Sequence, residues 1–368
     1  MNIDILRLHK LVSSLFTHVV GAVILISLMT FPTKARAEEL KQRPKLGVIL
    51  PLTGRAATAG EAVRNGVSMA NSDLNDLFEV YFEDNALDGA RTVTAANKLI
   101  QHNKVDCLLV YASGPSNVVA PIAETSNIPM IGMSVDPNVS KNRNWVMIHW
   151  APVKNTVDRL FEELTNRKLN KVAILSTQSQ GVLEIQDYFS KNSAKHGITI
   201  AYNEQILPTE LDFQTAISIL KNRQPQAVFI NLYYGQAGIF AKRAADLGLK
   251  PQFFGPFILD DDNEIKASAG ALDGAFYANT SHGDLTFEKR YIERFGKRPV
   301  LGGIGAYDST LLFSEAIKRS EGTKKSVMKE LREMQNFKGA IGTYSALPNN
   351  SFDVPVSIRT IAQGRVAQ

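Results

Sequence analysis

Short apolar runs alternate along this chain with segments whose apolar positions recur every three or four residues. The first run, 45–52 (KLGVILPL), is apolar almost throughout, as expected of a strand buried on both faces. A loop of small residues with Gly54 and Gly60 follows, and a helix is expected from near Gly60, with Val63, Val67, Ala70 and Leu74 on its inner face. Strands are then predicted at 78–83, 106–111 and 129–133, with helices at 91–102 and 117–125 between them. Strands spaced by helices of this length indicate parallel βαβ units in a doubly wound sheet.

The pattern restarts after the apolar segment 145–152. Strands are expected at 171–176, 198–203, 227–232 and 252–257, and helices at 156–167, 182–196, 213–222 and 235–247. A second βα set of similar size predicts a second lobe. A glycine-punctuated strand at 270–280 closes this set, and helices follow at 285–295, 303–318 and 324–335. Helices so late need a surface to cover, so the chain is expected to return to the first lobe before strands at 339–343 and 354–362 end it in the second.

Residues 1–37 stand apart. Arg7 and Lys10 precede the apolar run 19–31, and Ala35-Arg36-Ala37 has the small residues of a signal-peptidase site, so cleavage is expected near Ala37. An uncleaved anchor is the alternative, but a spanning helix needs roughly 20 apolar residues, and extending the run back takes in Ser13, Ser14, Thr17 and His18. No later segment is long or apolar enough to cross a bilayer. Setting aside Arg7, Lys10, Lys34 and Arg36 against Asp4 lowers the formal net charge from +5 to +2. No arginine-rich stripe with interleaved aromatics remains, so nucleic acid is not an expected partner. The only cysteine, Cys107, lies in an apolar run and is read as a buried strand residue. No cysteine near the cleavage site offers a lipid attachment point. A soluble monomer in the periplasm of a two-membrane bacterium fits these features.

Signs of catalysis are missing. The chain has no GxSxG, HExxH, Walker or CxxC motif, and its histidines lack metal-ligand spacing. The acid run 260–264 lacks the alternation and glycine of a calcium loop. No cofactor, metal or enzymatic activity is expected.

The segments KLGVILPLTG…AGEAVRNG, ANKLI, SNIPMIGMS, KVAIL, GLKPQFFGP and GAYDSTLLFSEAIKR, in this order, resemble the leucine/isoleucine/valine-binding-protein family. The resemblance covers nearly all of the chain after residue 44. It implies the type I periplasmic binding protein fold: two Rossmann-like α/β lobes joined by three crossovers, near 149–152, 279–281 and 336–338. Lobe one would hold 38–149 plus 281–336, and lobe two 150–280 plus 337–368. It also implies a function, capture of a small polar solute (an amino acid or related amide or organic acid) between the lobes. Delivery would be to the permease of an ABC transporter in the inner membrane. The other reading on the same fold is an exported sensor or envelope-interaction module.

By resemblance, ligand contacts come from the loops at the strand ends. Ser113, Gly114 and Ser116 offer hydroxyls and backbone N–H groups at a helix start, suited either to a carboxylate or to plain N-capping with Pro115 in the first turn. Ser134 and Asp136 match the loop that helps grip a carboxylate, although Asp136 would repel an anion and suits a cap before Pro137 equally. Tyr233 matches a cleft aromatic, and Gln180, Phe257 and Asp260 complete the expected set. Two departures weaken the case for a branched-chain amino acid. Phe257 follows Gly255-Pro256 where amino-acid binders carry the acid that pairs with the ammonium, and Ala59 and Gln180 replace cleft aromatics.

Overall fold

A computed structural model describes residues 43–281 and 285–367. The leader and its cleavage site lie outside the described residues. Among the described residues no helix is long and apolar enough to cross a membrane.

The first lobe is built in sequence from β1 (Lys45–Leu50), α1 (Ala57–Asp73), β2 (Glu79–Asp84), α2 (Gly89–Asn97), β3 (Cys107–Tyr111), α3 (Ser113–Ser126), β4 (Met130–Met133) and β5 (Val146–Ile148). The strands pair in parallel in the order β2-β1-β3-β4-β5. Central strands β3 and β4 are buried along their whole length and edge strand β2 only partly, as helices on both faces require.

The second lobe repeats this plan with α4 (Val153–Asn166), β6 (Lys171–Thr177), α5 (Gln180–Asn192), β7 (Thr199–Ile206), α6 (Gln214–Arg223), β8 (Ala227–Asn231), α7 (Ala237–Asp246), β9 (Gln252–Gly255), α8 (Asp262–Ala267) and β10 (Phe276–Thr280). Its strand order, β7-β6-β8-β9-β10, matches that of lobe one position for position. The expected glycine-rich strand at 270–280 is shorter than the pattern suggested. Turns occupy 268–274, with Gly270 and Gly274 at positive φ, and pairing begins only at Phe276.

The chain then covers lobe one with α9 (Leu285–Phe295), α10 (Gly303–Arg319) and α11 (Lys324–Arg332). Arg290 of α9 pairs with Asp73 at the end of α1 (2.7 Å), and Tyr307 of α10 donates to the same carboxylate (2.7 Å). Helices α1 and α10 approach so closely that a Cβ on Gly66 would stand 2.1 Å from the Gly303 carbonyl oxygen.

The third crossing departs from the sequence expectation. Strands β11 (Phe337–Lys338), β12 (Thr343–Tyr344), β13 (Ala346–Leu347) and β14 (Ser351–Phe352) stay with lobe one, where β14 pairs with β5. Buried Asp308 on α10 fastens this stretch, accepting from the amides of Ala340 (2.7 Å) and Ile341 (3.1 Å) and from the Tyr344 hydroxyl (3.0 Å). The chain reaches the second sheet only at β15 (Val356–Ala362), antiparallel to β10, followed by β16 (Arg365–Val366). Residues 337–352 therefore belong to the first lobe, and the crossing falls at 353–355 instead of 336–338.

Candidate functional site

The order β2-β1-β3 places a topological switch point at the carboxyl ends of β1 and β3, and β7-β6-β8 places a second in lobe two. The cleft lies where these ends face one another, with about 620 Å³ of open space including its mouth. Tyr111 ends β3, Tyr233 and Tyr234 follow β8, Phe257 follows β9, and Trp150 comes from the first connection between lobes; all five line the cleft. Trp150 packs edge-on against Phe257 at 5.2 Å and Tyr111 at 6.3 Å, and Tyr233 against Tyr234 at 5.3 Å. Across the gap the Tyr111 and Tyr234 hydroxyls lie 2.6 Å apart. Burial pushes both phenols well above the ordinary tyrosine range, and it pushes Tyr233 up to about 12, so all three stay neutral. Among the described residues, no Asp, Glu, Lys, Arg or His lines the cleft.

One wall is the start of α3. Ala112 takes φ 75° and ψ 150°, a conformation that a residue with a Cβ adopts only under constraint. Its amide is tied to the Met133 carbonyl (3.1 Å). This kink starts the helix at Ser113, so Ser113-Gly114-Pro115-Ser116 forms the first turn and not a loop, and no side chain caps it. The amides of Ser113 and Gly114 thus have no intrahelical acceptor and add to the positive end of the helix dipole. Gly114 lines the cleft, with no atom within 4 Å of where a Cβ would stand. Ser113 also lines the cleft, and its hydroxyl accepts from Ser134 (2.9 Å). The two lobes meet beside it: a Cβ on Gly181 of α5 would lie 2.5 Å from the Ser113 Oγ.

Of the residues expected from sequence, Ser113, Gly114, Tyr233 and Phe257 are brought together in the cleft wall, and five are not. Ser116 is buried beneath the helix start and donates to the Val110 carbonyl (3.2 Å). Ser134 stands behind Ser113. Asp136 is a cap: its carboxylate accepts from the Asn138 amide (2.9 Å) and from Asn117 Nδ2 (2.6 Å). Gln180 takes the same Asn117 amide group (3.1 Å), linking α3 to α5 across the lobes. Asp260 is carried away from the cleft by the short 3₁₀ turn Phe257–Asp260. Its carboxylate is fully engaged by Tyr277 (2.6 Å), Asn279 (3.1 Å), Arg298 (3.1 Å) and Arg359 (3.4 Å).

Sequence reasoning missed Tyr111 and Trp150 as residues of the cleft wall. Each stands at or just past the end of an apolar run, where an aromatic reads as core. Their shared position at strand ends was the available signal.

Residues 44–365 match the family model described as periplasmic binding protein. The Leu/Ile/Val-binding protein homolog 3 of Brucella melitensis is 22% identical over 332 residues, 84% of this chain and 90% of that protein. A leucine-binding protein from Thermotoga maritima superposes with a TM-score of 0.81 at 22% identity, covering 88% of this chain and 97% of that one. A solute-binding protein of an ABC transporter from Rhodopseudomonas palustris, solved in complex with 3,4-dihydroxybenzoic acid, gives a TM-score of 0.80 at 22% identity, covering 88% and 94%. Matching lobes, matching strand order and a family match over nearly the whole described chain lead to one assignment: the chain belongs to the periplasmic binding protein family, with the type I fold of the leucine/isoleucine/valine-binding proteins.

Proposed function

We propose that this chain captures a small apolar monocarboxylate, of the aromatic-acid kind, and hands it unchanged to the permease of an ABC importer. The observation that carries the ligand class is the pairing of an uncapped helix start with a cleft that has aromatic walls and no acidic side chain. A carboxylate is favoured at the first turn of α3 by two backbone donors and the helix dipole. An α-ammonium, in contrast, would be stripped of water with no carboxylate lining the cleft among the described residues to receive it, that of Asp261 being turned to the Asn263 amide (2.8 Å). The ring faces of Tyr233, Phe257 and Trp150 suit an aromatic or aliphatic body. Relatives named for leucine, isoleucine and valine and one holding 3,4-dihydroxybenzoic acid point to carboxylates generally, and the missing acid narrows the choice here. In this reading residues 1–37 direct export, cleavage near Ala37 releases a periplasmic monomer, and no step of chemistry is performed.

Thermal-shift measurement on the protein lacking residues 1–37 tests the ligand class. Benzoate or a hydroxybenzoate at about 100 times its dissociation constant should stabilise by roughly 2.7 kcal/mol. L-leucine and L-isoleucine should give no shift. A shift with the amino acids and none with the acids would overturn the reading.

A further inference from the structure

The Tyr111–Tyr234 contact holds an unspent donor. Two phenols carry two protons, and one hydrogen bond between them uses one. Neither hydroxyl has another partner among the described residues. Both side chains are buried, Tyr111 2% and Tyr234 5% exposed. A buried donor left this way costs stability. Both rings line the cleft, which places the spare donor where a bound solute sits.

The charge around the pair decides what kind of acceptor suits it. Both phenols feel the negative charge of Asp261, whose carboxylate is turned to the Asn263 amide (2.8 Å). An anion at this end would face that field, while the start of α3 attracts one. A hydroxyl is the complement: it accepts the spare proton and donates back to a phenol lone pair, which a carboxylate cannot do.

We propose that the Tyr111–Tyr234 pair is a specificity element that selects aromatic acids bearing a ring hydroxyl over the same acids without one. The inference rests on the aromatic-acid reading above and adds the polar group at the far end of the ligand. Losing one neutral hydrogen bond in a buried site corresponds to about a tenfold change in affinity.

Isothermal titration with benzoate, 3-hydroxybenzoate, 4-hydroxybenzoate and L-leucine tests it, on the wild type and on the double variant Tyr111→Phe/Tyr234→Phe, each checked for folding by thermal melting. At least one hydroxybenzoate should bind the wild type about tenfold tighter than benzoate, and the double variant, which leaves no phenol donor, should bring the two to near parity by weakening the hydroxybenzoate. Wild-type benzoate binding as tight as both hydroxybenzoates, or a preference that survives in the double variant, overturns the role of the pair and leaves the ligand class standing. L-leucine binding with none of the acids bound overturns the ligand class, and the pair's role with it. If the double variant fails to fold, the wild-type ratio still decides.

Discussion

Asp84 ends β2 and holds the first loop in place. It accepts from the Leu52 amide (2.8 Å), the Thr53 hydroxyl (2.6 Å) and the Ala86 amide (3.0 Å), and pairs with Arg91 (2.7 Å). Burial by itself raises this carboxyl, but the Thr53 hydroxyl and the amides of Ala86, Leu52 and Thr53 outweigh it and bring it down to about 2. A carboxylate depressed in the fold, against about 3.9 in an unfolded chain, stabilises at neutral pH and loses that contribution as pH falls toward the folded value. Asp84→Asn should therefore cost about 1 kcal/mol at neutral pH, solvent screening trimming the full shift. Urea unfolding should show the gap between wild type and variant closing as pH is lowered to about 2. A gap that stays constant with pH would show that the charge is not what braces the loop. Single residues were legible in the sequence where local chemistry fixes them. Cys107, read from its apolar run as a buried strand residue, lies buried in β3. Asp260 was misread because spacing after Gly255-Pro256 says nothing about the 3₁₀ turn that redirects its side chain to Arg298 and Arg359.

Among the elements, α1 and α10 approach each other closely at Gly66. Gly66→Ala would gain helix propensity of up to about 1 kcal/mol. It would also push a methyl into the Gly303 carbonyl, a rigid backbone neighbour that cannot swing aside. Overpacking of this kind costs about 1–3 kcal/mol, so calorimetry should find a lower melting temperature for the variant. An unchanged or raised one would mean that the helices separate at little cost. The long elements were readable because their apolar positions repeat: α9 runs over Leu285–Phe295 as the pattern predicts, and β1, β3 and β8 begin and end within two residues of the expected strands. Helix α3 was expected from 117, four residues late, because the glycine and proline of its first turn resemble a loop. Strands β11 to β14 have two residues each, too short for any period, and their place is set by pairing with β5 and by Asp308, contacts distant in sequence.

At the scale of the whole molecule, two sheets of one strand order face each other, and the strand ends of both supply the cleft. Contacts between lobes ring the cleft: Arg55 donates to the Pro208 carbonyl (2.8 Å), Asn263 meets Thr58 (2.5 Å), Asn117 reaches Gln180 (3.1 Å), and Arg298 reaches Asp262 (2.9 Å). Separate contacts of this kind suit a joint that opens and closes about its connections, with the solute supplying the difference between the states. The account rests on an anion held by the first turn of α3 between those lobes. A crystal structure of the protein grown with 4-hydroxybenzoate tests that most directly. It should place the carboxylate about 2.9 Å from the Ser113 and Gly114 amide nitrogens, with the ring among Tyr233, Phe257 and Trp150. A carboxylate bound anywhere else, or an acid that leaves the cleft empty, would contradict it.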